Sequence, residues 1–151
     1  MVFGWTQVLM DIQTLWVMLT GHGHLHGFSH TYLGATLLGI AAAFSGKYVA
    51  EFGLYLLSKR DSLPISWPVA ISSALIGSFS HVLLDSIMHA DVEPFFPFAQ
   101  SNVFLGIFSI ESLHKFCIYS ELVGAGLYVA VSFYLRKNIS DPPQADKKKK
   151  K

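Results

Sequence analysis

Four stretches of this chain, residues 1–19, 31–57, 68–88 and 116–135, are apolar over lengths that suit helices and exceed what strands or loops use. A bilayer core of about 30 Å is crossed by roughly 20 mostly apolar residues of helix, whose backbone polar groups satisfy one another. The segments therefore predict an all-α integral membrane bundle of about four transmembrane helices. Composition agrees: charged residues make up 14% of the chain and hydrophobic ones 52%, against roughly 25% charged in an average soluble domain. Asp11, Asp85 and the serines inside three of the segments leave a soluble, unusually apolar helical bundle as the alternative.

The first segment is interrupted by Gln7, Asp11 and Gln13. It has neither the basic n-region nor the small-residue cleavage site of a signal peptide, and so reads as a retained helix. The second begins with a Gly- and Ala-rich half suited to close packing in membranes. Further along it, Lys47 and Glu51 are four apart and could pair on one helix face or mark the exit from hydrocarbon. Pro68 opens the third segment, where a first helical turn accepts it. Residues 90–115 mix Pro94, Pro97, aromatics and polar side chains, and read as a loop with short interfacial helices. Residues 1–139 thus form one membrane-embedded unit. Residues 140–151, with two prolines and a lysine run, read as a disordered basic tail able to touch anionic lipid.

Of the eleven basic residues, five are the run 147–151, which leaves six against ten acidic residues in the body. The formal charge of +1 comes from the tail, and no basic stripe of the kind a nucleic-acid binder shows is present. Lys59 and Arg60 follow the second segment, and Arg136 and Lys137 follow the fourth. The positive-inside rule makes both clusters cytoplasmic. Four spans then place both termini in the cytoplasm and residues 20–30 and 90–115 outside, with membrane lipids as the surroundings.

Cys117 is the single cysteine, which rules out an intrachain disulfide and a thiolate zinc finger. Any metal must be held by His, Asp and Glu. Four of the seven histidines, His22, His24, His26 and His30, fall within nine residues. His26 and His30 are four apart, so a helix starting there would put both imidazoles on one face, and Gly21, Gly23 and Gly27 let the backbone bend around a ligand. A second cluster is His81, Asp85 and His89, which fall within about 80° on one helical stripe. Imidazole and carboxylate are ordinary zinc ligands, so the cofactor expected is a divalent metal, zinc first. The charge-derived topology brings both clusters to the same membrane face. Asp11 is the third element, because a carboxylate in an apolar helix is costly unless paired, hydrated or metal-bound. Helix–helix hydrogen bonding is the alternative to ligation for each of these residues. His22 and His24 read as solvated loop residues. His114, three residues after Glu111, reads as a contact around a site or as an interfacial loop residue.

The elements Asp11-Ile-Gln, His26-Gly-Phe-Ser-His30-Thr and Ser80-His81-Val-Leu-Leu-Asp85-Ser occur in that order, followed by Asp91-Val-Glu-Pro-Phe-Phe-Pro-Phe. Together, over residues 11–98, they resemble the LexA-regulated, membrane-bound metal-dependent hydrolase family (YdjM-like). The resemblance implies that Asp11 is the first carboxylate ligand, His26 and His30 the histidine pair, and His81 with Asp85 the ligands from the third helix. His89 rests on spacing alone. Gln13 stands where the family has a second acidic residue, and His26-Gly27 replaces a common His-Arg-Gly. The family is distantly similar to zinc-dependent phospholipase C, which implies phosphoester hydrolysis on a small-molecule or lipid-linked substrate, and its namesake implies the bacterial inner membrane. In that chemistry Asp11 or Glu93 orients a water or completes the shell. Two non-hydrolytic readings stand beside it: a metal-binding or metal-transporting protein, and a structural subunit whose helices are held by His–Asp hydrogen bonds. Ligands gathered at one side favour a site over a pore.

Overall fold

The computed structural model describes residues 1–140, with side chains through residue 135. Among the described residues every regular element is helical: α1 (Val2–Thr20), α2 (Tyr32–Leu56), α3 (Trp67–Met88) and α4 (Ile110–Ser140), with 3-10 turns at Phe28–His30 and Arg60–Ser62. The four apolar segments are these four helices. Tyr32–Leu56, Trp67–Met88 and Ile110–Leu135 are long and apolar enough to cross a membrane. α1 is not among them; Gln7, Asp11 and Gln13 dilute it. Most of the expected basic tail falls on residues 141–151, outside the described residues.

The connection after α3 corrects the expectation. It consists of turns, with no short helices of its own, and α4 starts at Ile110 rather than near residue 116. Pro94 and Pro97 each lack the N–H that a helix interior needs. Ser109 then accepts the Ser112 N–H at 3.2 Å, an N-cap bond that fixes the earlier start of α4.

Met1–Ile107 forms one compact unit in which α1, α2 and α3 each pack on the other two. Lipid tails are as apolar as leucine, so helices in a bilayer associate through close van der Waals contact between small residues. α2 accordingly buries Ala35, Gly39, Ala42, Ala43, Gly46 and Ala50 along one face, and α3 buries Ala70, Ala74, Gly77 and Ser78. Two polar clusters interrupt this packing. Partway along α2, Lys47 pairs with Glu51 on one face, and Glu51 also accepts the Ile65 N–H at 3.0 Å. Elsewhere Met10, Ala35 and Val82, one from each helix, form a small apolar junction. Their sequence neighbours Asp11 and His81 are drawn together beside it.

The chain from Phe108 forms the second unit. Over Ile110–Leu135 α4 is long and apolar enough to cross a membrane. In its first turns Lys115 donates to Glu111 at 2.6 Å, so Glu111 pairs with a lysine one turn on rather than with His114.

Candidate metal centre

The centre is built where α1, α3 and the turn before α2 meet. Thr31 caps α2 by accepting the Gly34 N–H at 2.9 Å, which starts that helix just after His30. His30 therefore lies in the 3-10 turn and His26 in the loop ahead of it. This corrects the expectation that a helix stacks the two imidazoles on one face; the rings instead meet edge to face with centroids 4.9 Å apart. His30 is fully buried. His81 and Asp85 are one turn apart on α3, with His81 about 10 Å of helix below Met88.

Three approaches define the geometry. Asp85 Oδ2 lies 3.1 Å from His81 Nε2 and 3.2 Å from His30 Nε2, and Asp11 Oδ1 lies 3.3 Å from His81 Nε2. Yet the two Nε2 atoms, both buried, have no hydrogen-bond partner. Buried polar atoms are nearly always bonded, so this pair calls for an explanation.

The other ring nitrogens supply it. His81 Nδ1 is 2.8 Å from Gln7 Oε1, and Gln7 Nε2 donates to Gly77 O at 3.0 Å. A backbone carbonyl only accepts, so the amide is oriented with its oxygen toward His81, and Nδ1 must carry the proton. Gly77 leaves room for this contact: a Cβ there would lie a tight 3.2 Å from Gln7 Nε2 and 3.3 Å from Phe3 O. At His30, Nδ1 is 2.9 Å from Ser29 Oγ, and that hydroxyl donates to Gln13 Oε1 at 2.8 Å. The Ser29 N–H, 3.3 Å away, faces the same Gln13 oxygen. Ser29 has one hydroxyl proton, so it accepts from His30, and Nδ1 is again the protonated nitrogen. A Cβ on Gly27 would collide with the Gln13 side chain, so the glycine makes room for this link.

With both imidazoles neutral, the single ring proton sits on Nδ1 and each Nε2 turns its lone pair toward the Asp85 carboxylate. In that state the convergence needs a positive charge, which a metal ion would supply and which would make these atoms a ligand set. In a tetrahedral zinc site with ligands at about 2.0–2.1 Å, neighbouring ligand atoms are roughly 3.3–3.4 Å apart. The separations of 3.1, 3.2 and 3.3 Å match that edge length to within a few tenths of an ångström. The residues fit a divalent metal.

His26 continues the cluster outward. Its Nδ1 is 3.0 Å from both oxygens of Asp91, the carboxylate–histidine arrangement that orients a ligating imidazole. Burial opposes the charged form of Asp91, but the hydrogen bond with His26 and its electrostatic attraction outweigh it and hold the carboxyl below the usual range. Three groups can each bring one ligand atom within 4.8 Å of one another: Asp11, His30 and His81; His26, His30 and Asp85; and His26, His89 and Asp91.

Of the residues marked by sequence, Asp11, His26, His30, His81 and Asp85 come together. His89 is also near, but not for the expected reason. α3 ends at Met88, and His89 leaves it in an extended conformation, so it does not continue the His81–Asp85 stripe. It stacks on His26 at 4.4 Å instead. Glu93 joins none of the three groups; it lines a cleft of about 330 Å³ with His24, His26, Asp91 and Phe96. His22 is exposed in the loop, as expected. Asp91, Gln7 and Ser29 escaped the sequence reading. Gln7 carried a usable signal, since it sits one turn before Asp11 in an apolar helix where an idle polar group is costly.

No curated protein and no solved structure matches the chain. A family model does, that of the YdjM inner membrane protein, over residues 3–139. The match spans the whole His–Asp cluster and nearly all of the four helices, and the chain belongs to the YdjM inner membrane protein family.

Proposed function

We propose that this inner membrane protein is a metal-dependent hydrolase acting on phosphoesters. The carrying observation is the pair of buried, unpartnered Nε2 atoms of His30 and His81 turned on Asp85, with both Nδ1 protons already committed. In this reading His30, His81 and Asp85 hold the ion, Asp11 completes its shell, and His26 extends the set toward the cleft. A divalent ion held there supplies Lewis acidity and a water activated near neutral pH. Asp11, with its side chain 58% exposed, is the carboxylate freest to accept a proton from the attacking water. Hydrolysis adds that water's oxygen to phosphorus and releases the alcohol. Gln7, Ser29 and Gln13 fix the imidazoles that Asp11 and Asp85 face. Gln13 therefore has a use as an anchor at the position where the family has a second acid. By the positive-inside rule the basic pair at residues 59–60 favours the cytoplasmic side for the connection after α2, which in this reading turns the centre, at the other end of α2 and α3, toward the opposite face.

The test is hydrolysis of bis(4-nitrophenyl) phosphate by detergent-purified protein, with and without zinc and after chelation. Zinc-dependent turnover that His81→Ala removes supports the reading. Stoichiometric metal with no turnover on any phosphoester would turn it into that of a metal-binding protein.

A further inference from the structure

Beside the centre, α1 and α2 leave an apolar groove of about 500 Å³, within the range of roughly 300–1,000 Å³ typical of small-molecule sites. α1 contributes Leu9, Ile12, Gln13 and Trp16, at the spacing that puts four residues on one helix face. α2 contributes Leu37 and Leu38. Its polar side chains are those of Gln13 and Ser29, and these bond to each other at 2.8 Å. That bond is the same one that orients His30, so this end of the groove adjoins the metal centre. Phe28 is a wall of the groove and also of the polar cleft that holds His26, Asp91 and Glu93.

We propose that the groove seats one acyl chain of a phosphoester lipid whose headgroup lies across Phe28 in the polar cleft. An apolar slot and a neighbouring cleft edged by the polar side chains of His26, Asp91 and Glu93 share one wall, the complement of an amphiphile. The side chains along the slot, Ile12, Trp16 and Leu37, are more than half exposed, and in an inner membrane protein such faces meet lipid chains. The proposal rests on the hydrolase reading for its chemistry, and it names the substrate class for that reading: membrane lipid rather than soluble phosphoester.

The test uses the full chain in vesicles doped with a phosphatidylglycerol that carries a diazirine on one acyl chain. After irradiation, labelled peptides are mapped by mass spectrometry. Labelling around Ile12 and Leu37 is expected to exceed that around Ile76, an exposed apolar residue of α3 outside the groove, by about tenfold. Ile12→Trp and Leu37→Trp fill the slot from exposed positions and should bring labelling down to the Ile76 level with zinc content unchanged. Equal labelling at Ile76, labelling that survives both tryptophans, or capture of α4 or a second copy in the slot each overturns the proposal. Zinc content and turnover of bis(4-nitrophenyl) phosphate, read on the same preparation, report separately on the hydrolase reading.

Discussion

The bundle of α1–α3 contains two polar clusters, and they are finished differently. At Lys47 and Glu51 each charge meets its opposite, and Glu51 takes a further N–H from Ile65. The lysine also lies 5.3 Å from the Trp67 ring, a cation–π contact. Nothing is left over, and the cluster explains itself as packing. At His30, His81, Asp85 and Asp11 the outward-facing nitrogens are anchored as carefully, but the inward-facing ones have no hydrogen-bond partner. Two buried imidazole nitrogens without hydrogen-bond partners are costly in a low-dielectric interior. A closed ion pair needs no ligand; an open cluster of acceptors does.

That contrast can be broken by substitution. His81→Ala takes away one ligand of a small set, and bound zinc should fall below a tenth of an equivalent by elemental analysis, whereas Lys47→Ala should leave zinc unchanged. Equal loss in both variants would mean that metal binding only reports folding. Lys47→Ala should instead lower the stability of the bundle, because it leaves Glu51 without its partner. Denaturation in detergent measures this, and the double variant Lys47→Met with Glu51→Gln should recover most of the loss. Gln7→Ala and Ser29→Ala leave every proposed ligand in place but release an imidazole, so zinc affinity should drop by about 10- to 100-fold in competition with a chelator of known affinity. The smallest effect is expected at His89→Ala and Glu93→Gln. These residues line the outer side of the cluster, and zinc affinity close to wild type would separate them from the inner set.

The helices were legible because hydrocarbon imposes long apolar runs, and residues 31–57 and 68–88 carry them despite Lys47, Glu51 and Asp85. Their ends were less so. The start of α4 depends on a serine cap at Ser109, a single hydrogen bond that hydropathy does not register. Within the centre, Asp11, His81 and Asp85 stood out as ionisable groups in apolar helices, and the i, i+4 spacing of His81 and Asp85 survives in the structure. His89 shows where spacing fails: the stripe argument assumes that the helix continues, and α3 stops one residue short. The anchoring residues Gln7 and Asp91 could not be assigned from spacing, because each meets its histidine across the tertiary fold, and Ser29, although next to His30, is oriented by Gln13 from α1. His26 and Asp91 are 65 residues apart.

The central claim is that the unpartnered nitrogens of His30 and His81 and the Asp85 carboxylate form a ligand set. It is tested most directly by the zinc content of the detergent-purified chain beside that of Asp85→Ala. About one or more equivalents per wild-type chain, lost in Asp85→Ala while helical content by circular dichroism stays the same, is the result this account predicts. Zinc retained in full by Asp85→Ala, or a well-folded wild-type protein that takes up none, would contradict it.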